Sequence, residues 1–454
     1  MTSIVITALI LIVMGVAYHQ GASHSRRLAH DGRLHSRPQY HGALVALWTL
    51  VPFLFVLLIW GVFSGLLTQW FMAGLLPPEV TAGSEIQAAA QRIANIASGF
   101  GVSGEVAEWE FAAAASLNHF QRTVFFSAVA LGAILAVAGL LHARSKISQR
   151  FRARNHVELA IKAALILCSL IAIFTTLGIV VSLLFEALHF FSMVSPLEFF
   201  FGTVWQPRYS TTGTVASGGY GMVPLLVGTL MIALIAMIVA IPIGLMTAIW
   251  LTQYAAPKTR NVVKPIVEVL AGIPTIVYGF FALVTMGPFL SDLGDVLGLD
   301  INATSALTAG VVLGMMIIPF ISSLSDDIIR QVPSAMRDGS LGLGATKSET
   351  IRMVIFPAAL PGIVGAILLA VSRAIGETMI VVLAAGNAPI LRFNPFEATS
   401  TYTVTIVTAL TGDSDFASPQ SLVAFALGLT LFVITLMLNI GALAIVRRYR
   451  EQYE

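Results

Sequence analysis

Nine apolar stretches, most of them near the roughly 20 residues that a helix needs to cross a bilayer, dominate the sequence. Only helices and closed barrels satisfy every backbone polar group inside the hydrocarbon. Charged residues make up 11% of the 454 residues, where a soluble domain carries about 25%. We therefore predict an all-α integral membrane protein with spans near 4–18, 44–66, 123–141, 159–185, 222–251, 265–290, 305–324, 357–385 and 422–446.

Basic residues lie mostly on one side of these stretches. Cytoplasmic loops of membrane proteins carry an excess of Lys and Arg. If the segment after the first stretch is inside, most of the 25 Lys and Arg residues fall in inner loops, whereas the acidic residues lean to the outside. This bias predicts an outer N-terminus and a cytoplasmic C-terminus. The stretch at 4–18 is short, and without it only the N-terminus would change sides.

Composition divides the chain near residue 155. We predict an N-terminal extension at 1–155, with about three spans and an outer segment at 68–120, and a transport core at 156–454 with six spans. The formal net charge of +2 argues against nucleic-acid binding. A single cysteine, Cys168, excludes a disulfide scaffold.

Five histidines occupy the loop that follows the first stretch. They lie five or six residues apart, so no two of them stand at the i, i+4 separation that metal ligands use on a helix. We interpret the loop as solvated and weakly basic, and we predict neither a metal site nor a cofactor. The histidines are His19, His24, His30, His35 and His41.

The segment at 325–356 is too long for a simple connection between two spans. Its sequence predicts a helix that begins after Pro333, a glycine-rich turn, and a second helix from Thr346 to Ile355 that Pro357 stops. Mixed apolar and charged residues in such a unit are typical of docking into a groove on a soluble partner. A re-entrant or merely capped connection is the alternative.

This segment, which we call the coupling segment, resembles the EAA motif of ABC-transporter permeases. In that motif, Glu-Ala-Ala is followed at fixed spacing by Gly, by Ile and by Leu-Pro. The spacing is kept here, although the tripeptide is degenerate. The matching positions are Asp338, Gly339 and Ser340 for the tripeptide, Gly344 for the glycine, Val354 for the isoleucine, and Phe356 and Pro357 for Leu-Pro.

The chain from about residue 159 to 448 resembles the PstC-type permeases of phosphate-specific ABC transporters. Four strings carry the resemblance: YGMVPLLVGT (220–229), EVLAGIPTIVYGF (268–280), MMIIPFI (315–321) and SRAIGETM (372–379). The resemblance implies a type I ABC importer permease fold, preceded here by additional helices. It also implies a protein of the bacterial inner membrane that imports inorganic phosphate. It does not cover the first 155 residues.

Arg373 and Glu377 fall near the middle of the stretch at 357–385, where a charge is costly. Four residues apart on one helix, the two side chains would share a face and could pair. They form either a buried structural ion pair or part of the substrate pathway. In the second interpretation, which the resemblance favours, Arg373 presents its planar charge to phosphate oxygens and Glu377 holds it in place.

The resemblance also implies the partners. These are a second, PstA-like permease, two copies of a PstB-like ATPase docked on the coupling segment, a PstS-like outer phosphate-binding protein, and membrane lipid. The chain itself is expected not to be an enzyme, because its nearest approach to a P-loop, at 342–348, has threonine where the last glycine is required. An importer of sulfate or molybdate and, more distantly, a secondary transporter are the alternatives.

Overall fold

The computed structural model describes residues 2–30, 34–76, 83–100, 102, 106–207, 219–411 and 418–450. Within these ranges the chain is helical except for connections and one short antiparallel pair of strands, β1 (Trp205–Gln206) and β2 (Gly219–Tyr220). The chain divides into two units, Met1–Ile173 and Phe174–Glu454. The boundary that we predict near residue 155 lies at the start of a helix that continues through this division, and it stays a prediction.

The first unit is built from long helices that approach closely at small residues. A side chain at Gly139 would put its Cβ 2.0 Å from the carbonyl oxygen of Trp48, so only glycine allows this crossing. A Cβ at Gly42 would likewise lie 2.8 Å from the carbonyl oxygen of Tyr18. The helices of this unit are α1 (Thr2–His30), α2 (Pro38–Ala73), α3 (Gly83–Ser98), α4 (Glu108–Lys146) and the first part of α5 (Ala153–Met193).

An ion pair attaches the amphipathic helix α3 to the start of α4. Arg92 Nε donates to Glu110 Oε1 at 2.8 Å, and Glu110 is only 5% exposed. This bond raises the pKa of the Arg92 guanidinium above its usual value. Ile93 packs beside the pair against Leu117, so one face of α3 is buried on α4.

The second unit contains the remaining helices. After the last part of α5 they are α6 (Pro196–Phe201), α7 (Val223–Ile249), α8 (Pro257–Leu270), α9 (Thr275–Phe281), α10 (Gly287–Leu297), α11 (Ala306–Gln331), α12 (Ser334–Gly342), α13 (Lys347–Thr350), α14 (Phe356–Ile375), α15 (Met379–Ala384), α16 (Tyr402–Thr411) and α17 (Pro419–Arg450). Three wide helical turns of π type extend or join helices at Trp250–Tyr254, Ala282–Met286 and Ile351–Ile355.

Helix α11 forms the centre of the second unit. It packs most extensively against α7. Gly310 and Gly314 of α11 lie against Ile235 and Val239 of α7, and the absence of a side chain at each glycine lets the two backbones approach closely. Leu313 of α11 is fully buried in the main apolar cluster. The two ends of this 26-residue helix lie about 39 Å apart at 1.5 Å per residue.

Among the described residues, eight helices are long and apolar enough to cross a membrane, and they overlap eight of the nine predicted stretches. The first stretch, 4–18, falls in α1, and the side chains of residues 2–9 lie outside the described part of the chain. The eight are Pro38–Ala73, Glu108–Lys146, Ala153–Met193, Val223–Tyr254, Thr275–Leu297, Ala306–Gln331, Lys347–Ile375 and Pro419–Arg448.

Two of the predicted spans are interrupted. The stretch at 265–290 is not one helix, because α8 ends at Leu270 and the next helix begins at Thr275, after Pro274. Proline lacks a backbone donor and disfavours a helical residue before it. Tyr278 Oη donates to the carbonyl of Leu270 at 2.9 Å, which satisfies a group that the break frees. The stretch at 357–385 likewise divides, at residues 376–378.

Candidate functional site

The coupling segment consists of two short helical pieces joined by a turn. Residues 325–331, which we predicted as loop, are the last two turns of α11, and α12 follows Pro333. Gly344 then adopts φ +90°, a left-handed conformation that costs glycine little. The turn ends at Thr346, whose hydroxyl accepts from the backbone N–H of Glu349 while the Glu349 carboxylate accepts from that of Thr346.

The surface of the coupling segment is open. Helix α12, described in full, has no buried residue, and Leu343 at its end is 93% exposed. Asp338, Gly339 and Gly344 of the motif are exposed as well. Ser340 is half-buried, with its hydroxyl 3.0 Å from that of Thr350. The structure thus presents the first part of the motif on a projecting turn with an apolar tip.

The second part of the motif belongs to a long helix. We expected Pro357 to stop the helix that starts at Thr346, and this expectation was wrong. One helix runs through Lys347–Ile375, with the π-type turn at Ile351–Ile355 directly before the proline. A wide turn changes the bonding pattern where proline cannot donate, so the chain continues. Val354 and Phe356 are half-buried there, and Pro357 is exposed.

Arg373 stands near the other end of this helix. Its guanidinium carbon lies 5.3 Å from the centre of the Phe320 ring, and its Nη2 is 3.9 Å from the sulfur of Met316. Both contacts are with α11 and both are weak. Arg373 is exposed, and no carboxylate of the described chain lies within 4 Å of its guanidinium nitrogens. The guanidinium donors therefore retain the capacity to bind an oxyanion.

The predicted pairing of Arg373 with Glu377 does not form in this structure. The two residues do not lie on one continuous helix, because α14 ends at Ile375. Glu377 Oε1 instead accepts a hydrogen bond from the backbone N–H of Met379 at 3.0 Å, at the start of α15. A carboxylate at that position satisfies a backbone donor that the break leaves without a helical partner.

A hydroxyl-rich segment that the sequence analysis overlooked satisfies a backbone group at this break. Thr403 Oγ1 donates to the carbonyl oxygen of Glu377 at 2.9 Å, and Ser400 Oγ donates to Asn387 Oδ1 at 3.1 Å. The run of hydroxyl residues between two apolar stretches was the available signal. Five of its side chains are buried: Thr399, Ser400, Thr401, Thr403 and Thr405. Non-helical backbone inside a membrane requires such partners.

Metal ligands are not gathered anywhere in the described chain. No group of three or more His, Cys, Asp or Glu residues there could hold a metal ion. Among the histidines whose burial the structure describes, His41 is the most buried, and it contacts the ring of Phe151.

Two family models match different parts of the chain. Residues 8–175 match a family described as "Phosphate ATP-binding cassette transporter". Residues 240–451 match one described as "Binding-protein-dependent transport system inner membrane component". The first match lies almost entirely in the first unit and the second lies in the second unit.

Individual relatives cover the later part of the chain. The "Probable ABC transporter permease protein YqgH" of Bacillus subtilis is 34% identical over 272 residues, which are 60% of this chain and 84% of that protein. The "Phosphate transport system permease protein PstC 1" of Mycobacterium tuberculosis is 34% identical over 280 residues, 56% of this chain and 82% of that protein.

Solved structures give a weaker comparison. A chain of the MetNI methionine ABC transporter in an inward-facing conformation is 20% identical to this one, with a TM-score of 0.37. The match covers 50% of this chain and 94% of that chain. A TM-score at this level does not establish a common fold, so the relationship rests on the sequence relatives.

Proposed function

The chain belongs to the PstC-type permeases among the binding-protein-dependent inner membrane components of ABC transporters, and we propose that it is the transmembrane subunit of an ATP-driven importer of inorganic phosphate. The membership confirms the fold class expected from the sequence, an all-α membrane protein with a type I importer permease core. The observation that carries the proposal is the 34% identity to a phosphate permease over 82% of that protein's length.

We assign ATP hydrolysis to partner subunits. In this proposal two copies of an ATPase serve the complex, a second permease completes the pathway, and an outer binding protein delivers phosphate. The exposed coupling segment supports ATPase docking, because Leu343 and the left-handed turn at Gly344 form a projecting apolar tip. Such a tip fits a groove on a soluble partner. The segment would then be cytoplasmic, which agrees with the positive-inside bias of the loops.

Phosphate in this proposal passes Arg373. An exposed guanidinium without a carboxylate partner in the described chain supports this role. The last part of the coupling segment and Arg373 also lie on one helix, Lys347–Ile375, in which Lys347 and Arg373 are about 39 Å apart at 1.5 Å per residue. Movement of the coupling segment would therefore change the position of Arg373. A ligand biases two such states only by its difference in affinity between them, so Arg373 should bind phosphate more strongly in one state.

The extension is proposed to belong to the same transporter, since a phosphate transporter family model matches residues 8–175. The division into an extension at 1–155 and a transport core at 156–454 is part of the same proposal. The outer N-terminus and the cytoplasmic C-terminus are also proposals.

A transport assay tests the proposal. Uptake of labelled phosphate should be lost when the gene is deleted and should return when it is restored. Excess unlabelled phosphate should compete, whereas sulfate and molybdate should not. Undiminished phosphate uptake in the deletion strain, together with loss of sulfate uptake, would refute phosphate as the substrate. Transport that survives loss of the ATPase would instead indicate a secondary transporter.

A further inference from the structure

An ionic cluster joins helix α8 to the last two turns of α11, which form the first part of the coupling segment. Nη2 of Arg260 donates to both carboxylate oxygens of Asp326, at 3.1 and 2.8 Å. Nζ of Lys264 donates to Oδ2 of Asp326 at 2.7 Å and to Oδ1 of Asp327 at 3.3 Å. Lys264 also lies 3.8 Å from Glu268 within α8. Two basic side chains of α8 therefore converge on one carboxylate of α11.

The two aspartates differ in burial. The Asp326 side chain is 1% exposed and makes three charge-assisted bonds, whereas the Asp327 side chain is 58% exposed and makes one longer contact. A buried carboxylate is tolerated only where it is paired and fully hydrogen-bonded, and removing one partner of such a pair is strongly destabilising. An exposed ion pair contributes little. Asp326 is thus the residue on which the cluster depends.

Helix α8 makes few other polar contacts with its own chain: Ser323 Oγ donates to Glu268 Oε1 at 3.4 Å, and Tyr278 Oη donates to the carbonyl of Leu270. None of its residues, all of which the structure describes, is buried. Val262, Ile266 and Val269 are each more than half exposed. The bond to Asp326 raises the pKa of the Lys264 ammonium, so this residue stays charged at neutral pH. The position of α8 is therefore set mainly by the ionic cluster.

The cluster occupies a place where movement can pass between two parts of the second unit. Asp326 lies five residues before the end of α11, and the coupling segment continues through Pro333 into α12. Helix α8 leads through the break at residues 271–274 into the span Thr275–Leu297. Asp326 and its two partners therefore connect the segment that leads into α12 to the helix that leads into this span.

We propose that Asp326 is a positioning residue that transmits movement of the coupling segment to α8 and the span Thr275–Leu297. The inference rests on the proposed function, because it requires a coupling segment driven by an ATPase. Asp326 does not contact the substrate in this account. Its role is to keep α8 and the inner end of α11 moving as one body.

The test uses the complete transporter, reconstituted with its ATPase and binding protein in liposomes. The measured quantity is the number of phosphate ions transported per ATP hydrolysed. Asp326→Asn should lower this ratio about tenfold or more while hydrolysis continues, because Arg260 and Lys264 lose the buried anion that they share. Asp327→Asn, its matched control on the next residue, should stay within about twofold of wild type. Lys264→Gln, which leaves the Arg260 bond in place, should give an intermediate loss.

An unchanged ratio in Asp326→Asn, with transport and hydrolysis reduced equally, would overturn the inference and leave Asp326 a purely structural residue. If Asp326→Asn does not assemble, Lys264→Gln decides, and a wild-type ratio in that variant overturns the inference. Wild-type phosphate uptake is measured first, since its absence would refute the proposed function. The ratio can then be measured with whichever oxyanion the wild-type complex transports, so the two failures are distinct.

Discussion

Replacing Gly344 by alanine should weaken ATPase docking without disturbing the rest of the fold. The φ of +90° at this residue lies in the left-handed region, where a side chain costs roughly 1–2 kcal/mol. A Cβ at Gly344 would meet no atom within 4 Å, so steric contact adds nothing to this cost. A penalty of this size lowers the population of the docking-competent turn by a factor of about 5–30.

Gly342→Ala is the matched control. Gly342 is also exposed, with no atom within 4 Å of an added Cβ, but it ends α12 without a positive φ. Alanine there should leave docking unchanged. The assay is the amount of ATPase that copurifies with the permease, together with the initial rate of labelled phosphate uptake. Equal copurification for the two variants would show that the conformation at Gly344 does not control docking.

Two further substitutions test the packing and the site. Gly139→Ala places a Cβ 2.0 Å from the Trp48 carbonyl oxygen and should lower the thermal midpoint of the purified protein by several degrees. Gly61→Ala is the control, because an added Cβ there meets no atom within 4 Å and should leave the midpoint unchanged. Equal midpoints for the two variants would contradict the close crossing. Phe320→Leu removes the aromatic ring that contacts the Arg373 guanidinium, an interaction that contributes about 0.5–2 kcal/mol. The substitution should therefore slow phosphate uptake between twofold and thirtyfold. An unchanged rate would mean that the ring does not orient the guanidinium.

The spans could be predicted from the sequence because apolar length is a local property. Eight of the stretches identified this way overlap membrane-length helices of the described chain. The breaks within them could not be located, since a break depends on distant groups that satisfy the freed backbone. Tyr278 does this for the carbonyl of Leu270, and Thr403 does it for that of Glu377. Average hydropathy carries no information on these contacts.

The candidate site could likewise be predicted from the sequence only in part. Arg373 was identified because a charge is rare inside an apolar stretch, but its geometry required knowing that α14 ends before Glu377. Asp326 was overlooked because it was assigned to a loop, although it is a buried residue of α11. Its partners are 62 and 66 residues away in sequence, a separation at which no spacing rule applies.

The initial rate of labelled phosphate uptake by the reconstituted complex, wild type against Arg373→Gln, tests the central claim most directly. Charge-assisted hydrogen bonds contribute about 1.5–3 kcal/mol, so loss of the guanidinium should slow uptake about tenfold to a hundredfold while the complex remains assembled. Arg392→Gln, whose arginine is paired with Glu397 outside the spans, should transport at the wild-type rate. Normal uptake by Arg373→Gln, or no phosphate uptake by the wild-type complex, would contradict the account.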